Sequence, residues 1–389
     1  MTNLRITAGY VPLVDAAPLI VAKELGFAKE EGLNLDLQPA PSWSALRDWL
    51  LFGQIQAAQM LAPVPIASAL QAKSGLPTLT VLSGLSSNGN VFGISAELLT
   101  KLKAKGHSFD FQDAKRAGDA LAGLNRHLKI GVPFVLSMHA ELVTFWLTKS
   151  GLKQGEHFQI VAVPPPLMAQ AMRDGILDAF CVGEPWGSVT VETFGGGLLL
   201  PGTAIWSSAP EKVLSARNDW VDENPVSVRC LMRAVWRAGE WLANPDHLTT
   251  ASELLAHSDY LGLPTEIIDR ALWGRMIINQ SGEMRVTPNF LKFSGVDTCF
   301  PWKSRASWIA SKLVKRLDIK AADAATTAQL IYRSDLYREY LGPLGADLPL
   351  SSSKIEGALD SPTEVAGVRK SLILDQDRFF DGSIYDPGP

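Results

Sequence analysis

An α/β protein of two lobes with a cleft between them is the fold this sequence predicts, and three observations carry that prediction. The chain has 389 residues, more than one typical core accommodates, so two lobes are expected. Strand-like alternation followed by helical spacing occurs near the N-terminus and again in a second set between about residues 92 and 200. Between the two sets, Leu85 to Gly93 is polar and rich in Ser, Asn and Gly, as a segment crossing from one lobe to the other would be.

The elements follow in order. Leu4, Ile6 and Ala8 alternate with polar neighbours as a first strand, Gly9 to Asp15 form a turn, and Pro18 to Leu25 form a helix that Gly26 stops. Leu33, Leu35 and Leu37 alternate again, and Ser42 is placed to cap a helix over Ala45 to Phe52. Pro77 to Leu82 read as a strand with its proline at the first position, where a missing N–H is tolerated. In the second set, Leu128 to Val132, Phe158 to Val163 and Ala179 to Val182 are strands, with helices over His139 to Ser150 and Leu167 to Arg173. Leu198 to Leu200 carry the chain back. Residues 1–88 and 203–389 then form lobe I, and residues 89–202 form an inserted lobe II. The last part is mainly helical, over Val226 to Leu242, Ala251 to Leu255, Pro264 to Ile277 and Trp302 to Leu317, before a Gly- and Pro-rich tail over Asp381 to Pro389 that belongs on the surface.

Composition narrows the function. Apolar residues make up 47% and charged residues 20%, ordinary for a globular protein. A net charge of −4 offers no broad basic field for a polyanion, so direct nucleic-acid binding is disfavoured. Cys181, Cys230 and Cys299 are widely spaced without a CxxC pair, and the histidines show no metal-ligand spacing. No metal or cofactor is expected. Apolar runs fall short of the roughly 18 to 20 residues of a membrane span. The start Met1-Thr2-Asn3-Leu4-Arg5-Ile6-Thr7 enters a strand pattern at once, which leads to the expectation of a cytoplasmic protein without an export leader.

Several motifs occur in one order along nearly the whole chain: Asp15-Ala16-Ala17-Pro18-Leu19, Pro41-Ser42-Trp43, Met60-Leu61-Ala62-Pro63, Val163-Pro164-Pro165-Pro166, Gly183-Glu184-Pro185-Trp186, Ala209-Pro210-Glu211-Lys212, and Asp219-Trp220-Val221-Asp222-Glu223-Asn224-Pro225. Together they resemble the NrtA/CmpA-like nitrate and bicarbonate receptors of bacterial ABC transporters. The resemblance implies a type II periplasmic-binding-protein-like fold with its ligand in the interlobe cleft. Lysine at position 212, where bicarbonate receptors carry an acidic group and use calcium, favours nitrate or nitrite without metal. Joined to the expected cytoplasmic location, the sequence is most similar to the nitrate/nitrite sensors of the NasS group. That similarity implies a partner, an ANTAR-type antiterminator like NasT, which binds RNA when released. Two alternatives stand beside it: a periplasmic receptor of a nitrate importer, and an enzyme like the thiamin-precursor synthases that share the fold.

A planar oxyanion needs several hydrogen-bond donors and a positive charge. Lys212 is the expected cation, although a lone lysine is most often a solvated one. Trp43, at a helix start, carries a donor-only indole N–H; taken alone it reads as core. Asn90 supplies an amide from the crossing segment, where nitrate receptors tend to have glutamine. His139 opens a helix, where the macrodipole favours a neutral ring that can still donate one N–H. Gly183 permits close approach of main chain to ligand. Glu184 is awkward beside an anion and is expected either to order Lys212 or to take a structural salt bridge. Gln59 stands where transport receptors commonly have histidine, which implies a difference in affinity or ligand shape. Replacing Lys212 with alanine is expected to abolish anion binding and leave the fold intact.

Overall fold

The computed structural model describes residues 4–72 and 77–388, so Met1 to Asn3, the tail residue Pro389 and the stretch ahead of Pro77 lie outside the described residues. Two sheets organise the chain. The first is built from Leu4–Tyr10 (β1), Leu33–Pro39 (β2), Ala57–Leu61 (β3) and Leu79–Asn88 (β4), and the second opens with Asn90–Ile94 (β5). It continues with Leu128–Val132 (β6), Phe158–Ala162 (β7), Ala179–Gly183 (β8) and Gly197–Pro201 (β9), after which Pro210–Arg217 (β10) returns to the first sheet. Arg275–Ile277 (β11) and Met284–Val286 (β12) form a small hairpin, and Leu291–Lys292 (β13) adds an edge. The sheet orders are β13-β4-β10-β3-β1-β2 and β7-β6-β8-β5-β9. This is the two-lobed α/β fold the sequence predicts.

Local chemistry explains most boundaries. Ser42 Oγ accepts from Ala45 N and starts the Trp43–Leu51 helix; Ser137 does the same from Ala140 N for Met138–Lys149. Pro225 occupies the first turn of Pro225–Leu242, where its missing N–H is harmless. Three readings of the sequence change. The expected helix from Pro264 to Ile277 ends at Trp273, because Gly274 takes a left-handed φ of +62° and the chain turns into β11. Strand β3 and the Pro63–Leu70 helix occupy a motif quoted above without a structure assigned to it.

The third change concerns the crossing segment. Leu85 to Asn88 finish a ten-residue strand, and β5 begins two residues later. Its polar side chains are buried, and two of them are satisfied internally: Ser87 Oγ meets Thr298 Oγ1 at 2.8 Å, and Asn88 Nδ2 donates to the carbonyls of Ser207 and Asn289. Gly89 alone separates the sheets, at φ +86°, and a Cβ there would stand 2.8 Å from Leu291 Cδ1.

The chain after β10 packs helices against lobe I and ends in an arm that the buried Lys354 anchors beside Asp297, Glu356 and Asp377. The arm then reaches lobe II, where Asp381 Oδ2 lies 2.8 Å from Lys149 Nζ.

Candidate functional site: a buried charge cluster between the lobes

In parallel sheets the loops that can hold a ligand follow the carboxyl ends of the strands. Here β1 leads into Asp15, β2 into Trp43, β6 into His139, and β8 ends on Gly183. Strand β10 runs antiparallel to β3 with Lys212 opposite Leu61, so the start of β10 lies at the edge where β3 finishes. Strand β5 likewise runs antiparallel to β8 and sets Asn90 opposite Gly183. Six chain segments therefore converge on one place, and the structure brings together all five residues singled out from the sequence.

Two neighbours in a regular strand point to opposite faces. Glu211 and Lys212 nevertheless meet, with Lys212 Nζ 2.7 Å from Glu211 Oε1. The register between β10 and β4 shifts on both sides of Lys212, and such an irregularity re-aims side chains locally. The ammonium also lies 2.7 Å from Asp15 Oδ2 and 5.3 Å from the centre of the Trp43 ring. Asp15 is steadied in turn by Gln59, whose Nε2 donates to Asp15 Oδ1 at 2.5 Å while its Oε1 accepts from Val11 N. From the other lobe, Asn90 Nδ2 donates to Glu211 Oε2 at 2.6 Å, and His139 Nδ1 lies 3.5 Å from Glu211 Oε1, too far and too poorly aligned for a hydrogen bond.

Lys212, Glu211 and His139 are fully buried, and Trp43 is 1% exposed, so water does not screen these charges. Burial pulls the Lys212 ammonium down, but Asp15 and Glu211 outweigh it and hold it above its ordinary value. Burial raises Asp15 despite Lys212, and burial together with the Lys212 charge holds His139 well below the usual imidazole range. The lysine is charged because two carboxylates touch it, and the imidazole is neutral because it is buried and faces that cation.

The polar accounting is incomplete in an informative way. Trp43 Nε1, both ring nitrogens of His139, and Asn90 Oδ1 are buried without a hydrogen-bond partner. Buried polar groups are rarely left so, since each costs about 1–3 kcal/mol. The orphaned groups belong to opposite lobes and surround one lysine. A Cβ on Gly183 would stand 2.8 Å from Leu13 Cδ2, 3.5 Å from Asn90 Oδ1 and 3.6 Å from Asp15 Oδ2, so the missing side chain lets lobe I pack directly against the end of β8.

Glu184 does not order Lys212; Asp15 and Glu211 do. The Glu184 carboxylate instead accepts from Ser188 N at 3.2 Å at the start of the Trp186–Phe194 helix, and burial pushes it up to about 7. Its carbonyl accepts from Val14 N across the cleft, as the Pro12 carbonyl accepts from Trp186 Nε1. Sequence reasoning missed Asp15 and Glu211 as partners of the lysine although both sit inside quoted motifs. The Glu-Lys pair at a strand start was the signal available. Among the described residues, no group of three or more His, Cys, Asp or Glu side chains is placed to hold a metal ion.

Two lobes closing on a buried polar cluster define the class: a two-lobed solute-binding protein fold. Residues 2–256 match the model of the NMT1-like family, and the chain belongs to that family. It is similar to the nitrate/nitrite binding protein NrtA of Synechococcus elongatus, at 29% identity across 98% of this chain and 83% of that protein. The bicarbonate-binding protein CmpA of the same species is 26% identical, across 98% and 84%. The crystal structure of the periplasmic nitrate-binding protein NrtA from Synechocystis superposes with a TM-score of 0.85 at 25% identity, covering 99% of this chain and 96% of that one.

Proposed function

We propose that the interlobe cluster binds nitrate or nitrite, and that the chain is a cytoplasmic sensor that holds an ANTAR-type antiterminator without the anion and releases it on binding. The observation that carries the ligand reading is the set of orphaned N–H donors on Trp43 and His139 around the Lys212 ammonium. A planar monoanion with two or three acceptor oxygens satisfies donors from both lobes at once and thereby favours their closed arrangement. The names of the NrtA relatives support the same ligand.

Lys212 is already shared by two carboxylates, so a further negative charge needs a proton to enter the cluster or one carboxylate to yield its contact. That requirement disfavours sulfate, which brings two charges. The sensor part rests on linkage: a partner that binds only the open arrangement is released by a ligand that binds only the closed one. The buried free thiols Cys181, Cys230 and Cys299 agree with a reducing compartment. With a net charge of −4, action on transcripts would pass through the partner.

A receptor feeding an importer is the second reading, favoured by the likeness to a periplasmic protein. Calorimetric titration with nitrate, nitrite, bicarbonate plus calcium, and sulfate, repeated with the antiterminator present, tests both. Nitrate or nitrite binding that releases the partner supports the sensor. Binding with no partner to release supports the receptor, and no binding of any of these anions overturns the ligand assignment.

A further inference from the structure

A second cluster of positive charge lies outside the interlobe site. The Met138–Lys149 helix of lobe II and the Lys303–Leu317 helix of lobe I face one another, and between them is a cavity of about 410 Å³. Its cations are Lys149, Lys312, Lys315 and Arg316. Arg316 is taken: its Nη2 donates to Glu141 Oε1 at 2.6 Å, and both side chains are almost fully buried. Lys149 pairs with Asp381. Among the described residues, Lys312 and Lys315 have no carboxylate partner, so four cations meet two carboxylates and two positive charges stay uncompensated.

The Lys312 ammonium is crowded as well as unpaired. It lies 5.1 Å from the centre of the Phe145 ring and 5.0 Å from that of Trp308, while Lys149 shares the Phe145 ring at 5.9 Å. Burial, and after it the charges of Lys149 and Lys315, hold Lys312 below its ordinary value. Thr144 Oγ1 in the same lining is buried without a hydrogen-bond partner. An apolar wall, two unpaired cations and an orphaned hydroxyl in a cavity of this size are the parts of a small-ligand site.

We propose that this cavity binds a small organic dianion, a phosphate ester or a dicarboxylate that carries an apolar group. The two charges match Lys312 and Lys315, the apolar group lies against Phe145, and Thr144 and Gln154 supply polar contacts from lobe II. Such a ligand touches both lobes and binds only when the two helices face one another. The assignment does not depend on what occupies the interlobe cluster.

Phenyl phosphate and phthalate are the probes, with inorganic phosphate as the control, titrated by calorimetry into the full chain and into the Lys312→Gln/Lys315→Gln variant. Lys315 is exposed and Lys312 half-buried, and circular dichroism checks that the variant folds. Saturable binding of either aromatic dianion is expected, weakened roughly tenfold or more for each lysine lost, the scale of a charge-assisted hydrogen bond. The stronger probe tells a phosphate site from a dicarboxylate site. Binding should survive Trp43→Phe, which separates this cavity from the interlobe cluster. Equal affinity in the double variant, loss of binding in Trp43→Phe, inorganic phosphate binding as tightly as the aromatic probes, or no saturable binding at all would overturn the proposal.

Discussion

Replacing Lys212 with methionine tests the electrostatic reading of the interlobe cluster most directly. The side chain is fully buried and contacts Asp15 and Glu211 at 2.7 Å each, so its removal leaves two carboxylates in a closed, unscreened space. Breaking one buried ion pair costs about 3–5 kcal/mol. Here two carboxylates are stranded, but Gln59 and Asn90 still donate to them, so the estimate is about 4 kcal/mol at pH 8. Against a total stability of about 5–15 kcal/mol that is a large loss, and it replaces the expectation that the fold would not notice. The sign with pH follows. Without the lysine, Asp15, already raised by burial, loses the cation that lowers it, so the variant binds more protons folded than unfolded, and its deficit shrinks as pH falls and widens as pH rises. Urea unfolding followed by tryptophan fluorescence at pH 5.5 and pH 8 measures this, and adding Asp15→Asn should recover part of the loss at pH 8. A Lys212→Met variant within about 1 kcal/mol of the parent at both pH values would refute the shared-ion picture.

Other outcomes are equally open to measurement. Trp43→Phe removes an N–H that has no partner in the protein, so nitrate affinity should fall about tenfold in calorimetry with little change in stability. If anion binding draws a proton to Asp15, nitrate affinity should rise as pH falls, by at most about tenfold per unit, and calorimetry in buffers of different ionisation heat should show proton uptake. Glu184, raised to about 7, adds stability that is fully present below the unfolded value near 4.3 and lost as pH climbs to about 7. Glu184→Gln should therefore gain on the parent by about 3 kcal/mol across that window, and parallel urea curves would sink the assignment. Gly84→Ala would set a Cβ 1.8 Å from the Thr298 carbonyl oxygen, a backbone atom that cannot swing aside, and should cost about 3 kcal/mol or more in thermal or urea unfolding.

Local signals carried well into the structure. Ser42 caps as its position suggests, Gly26 ends the first long helix region, and the alternation of Leu33, Leu35 and Leu37 is a strand. Trp43, Asn90, His139, Gly183 and Lys212 were legible as a group only through their motifs, since nothing local says that they meet. What stayed hidden was non-local. The polarity of Ser86, Ser87 and Asn88 suggested a solvated crossing, yet the segment pairs with β10 as a strand, and residues 207, 289 and 298 meet the polar groups of Ser87 and Asn88. Lys212 is a strand residue because β10 inserts antiparallel between β3 and β4, an insertion that no spacing within β10 announces. Asp15 and Glu211 became its partners through that insertion and the register shift beside it.

The single glycine between the two sheets has a mechanical meaning. Gly89 joins the last residue of β4 to Asn90, whose amide already holds Glu211, so the crossover between the sheets and a contact of the buried cluster are adjacent. A turn of one lobe against the other rotates the backbone at that residue and at the return segment before β10, and works against the contacts that join the lobes elsewhere. Stiffness there sets how much binding energy is spent on motion, so affinity is adjustable at a position no ligand need touch.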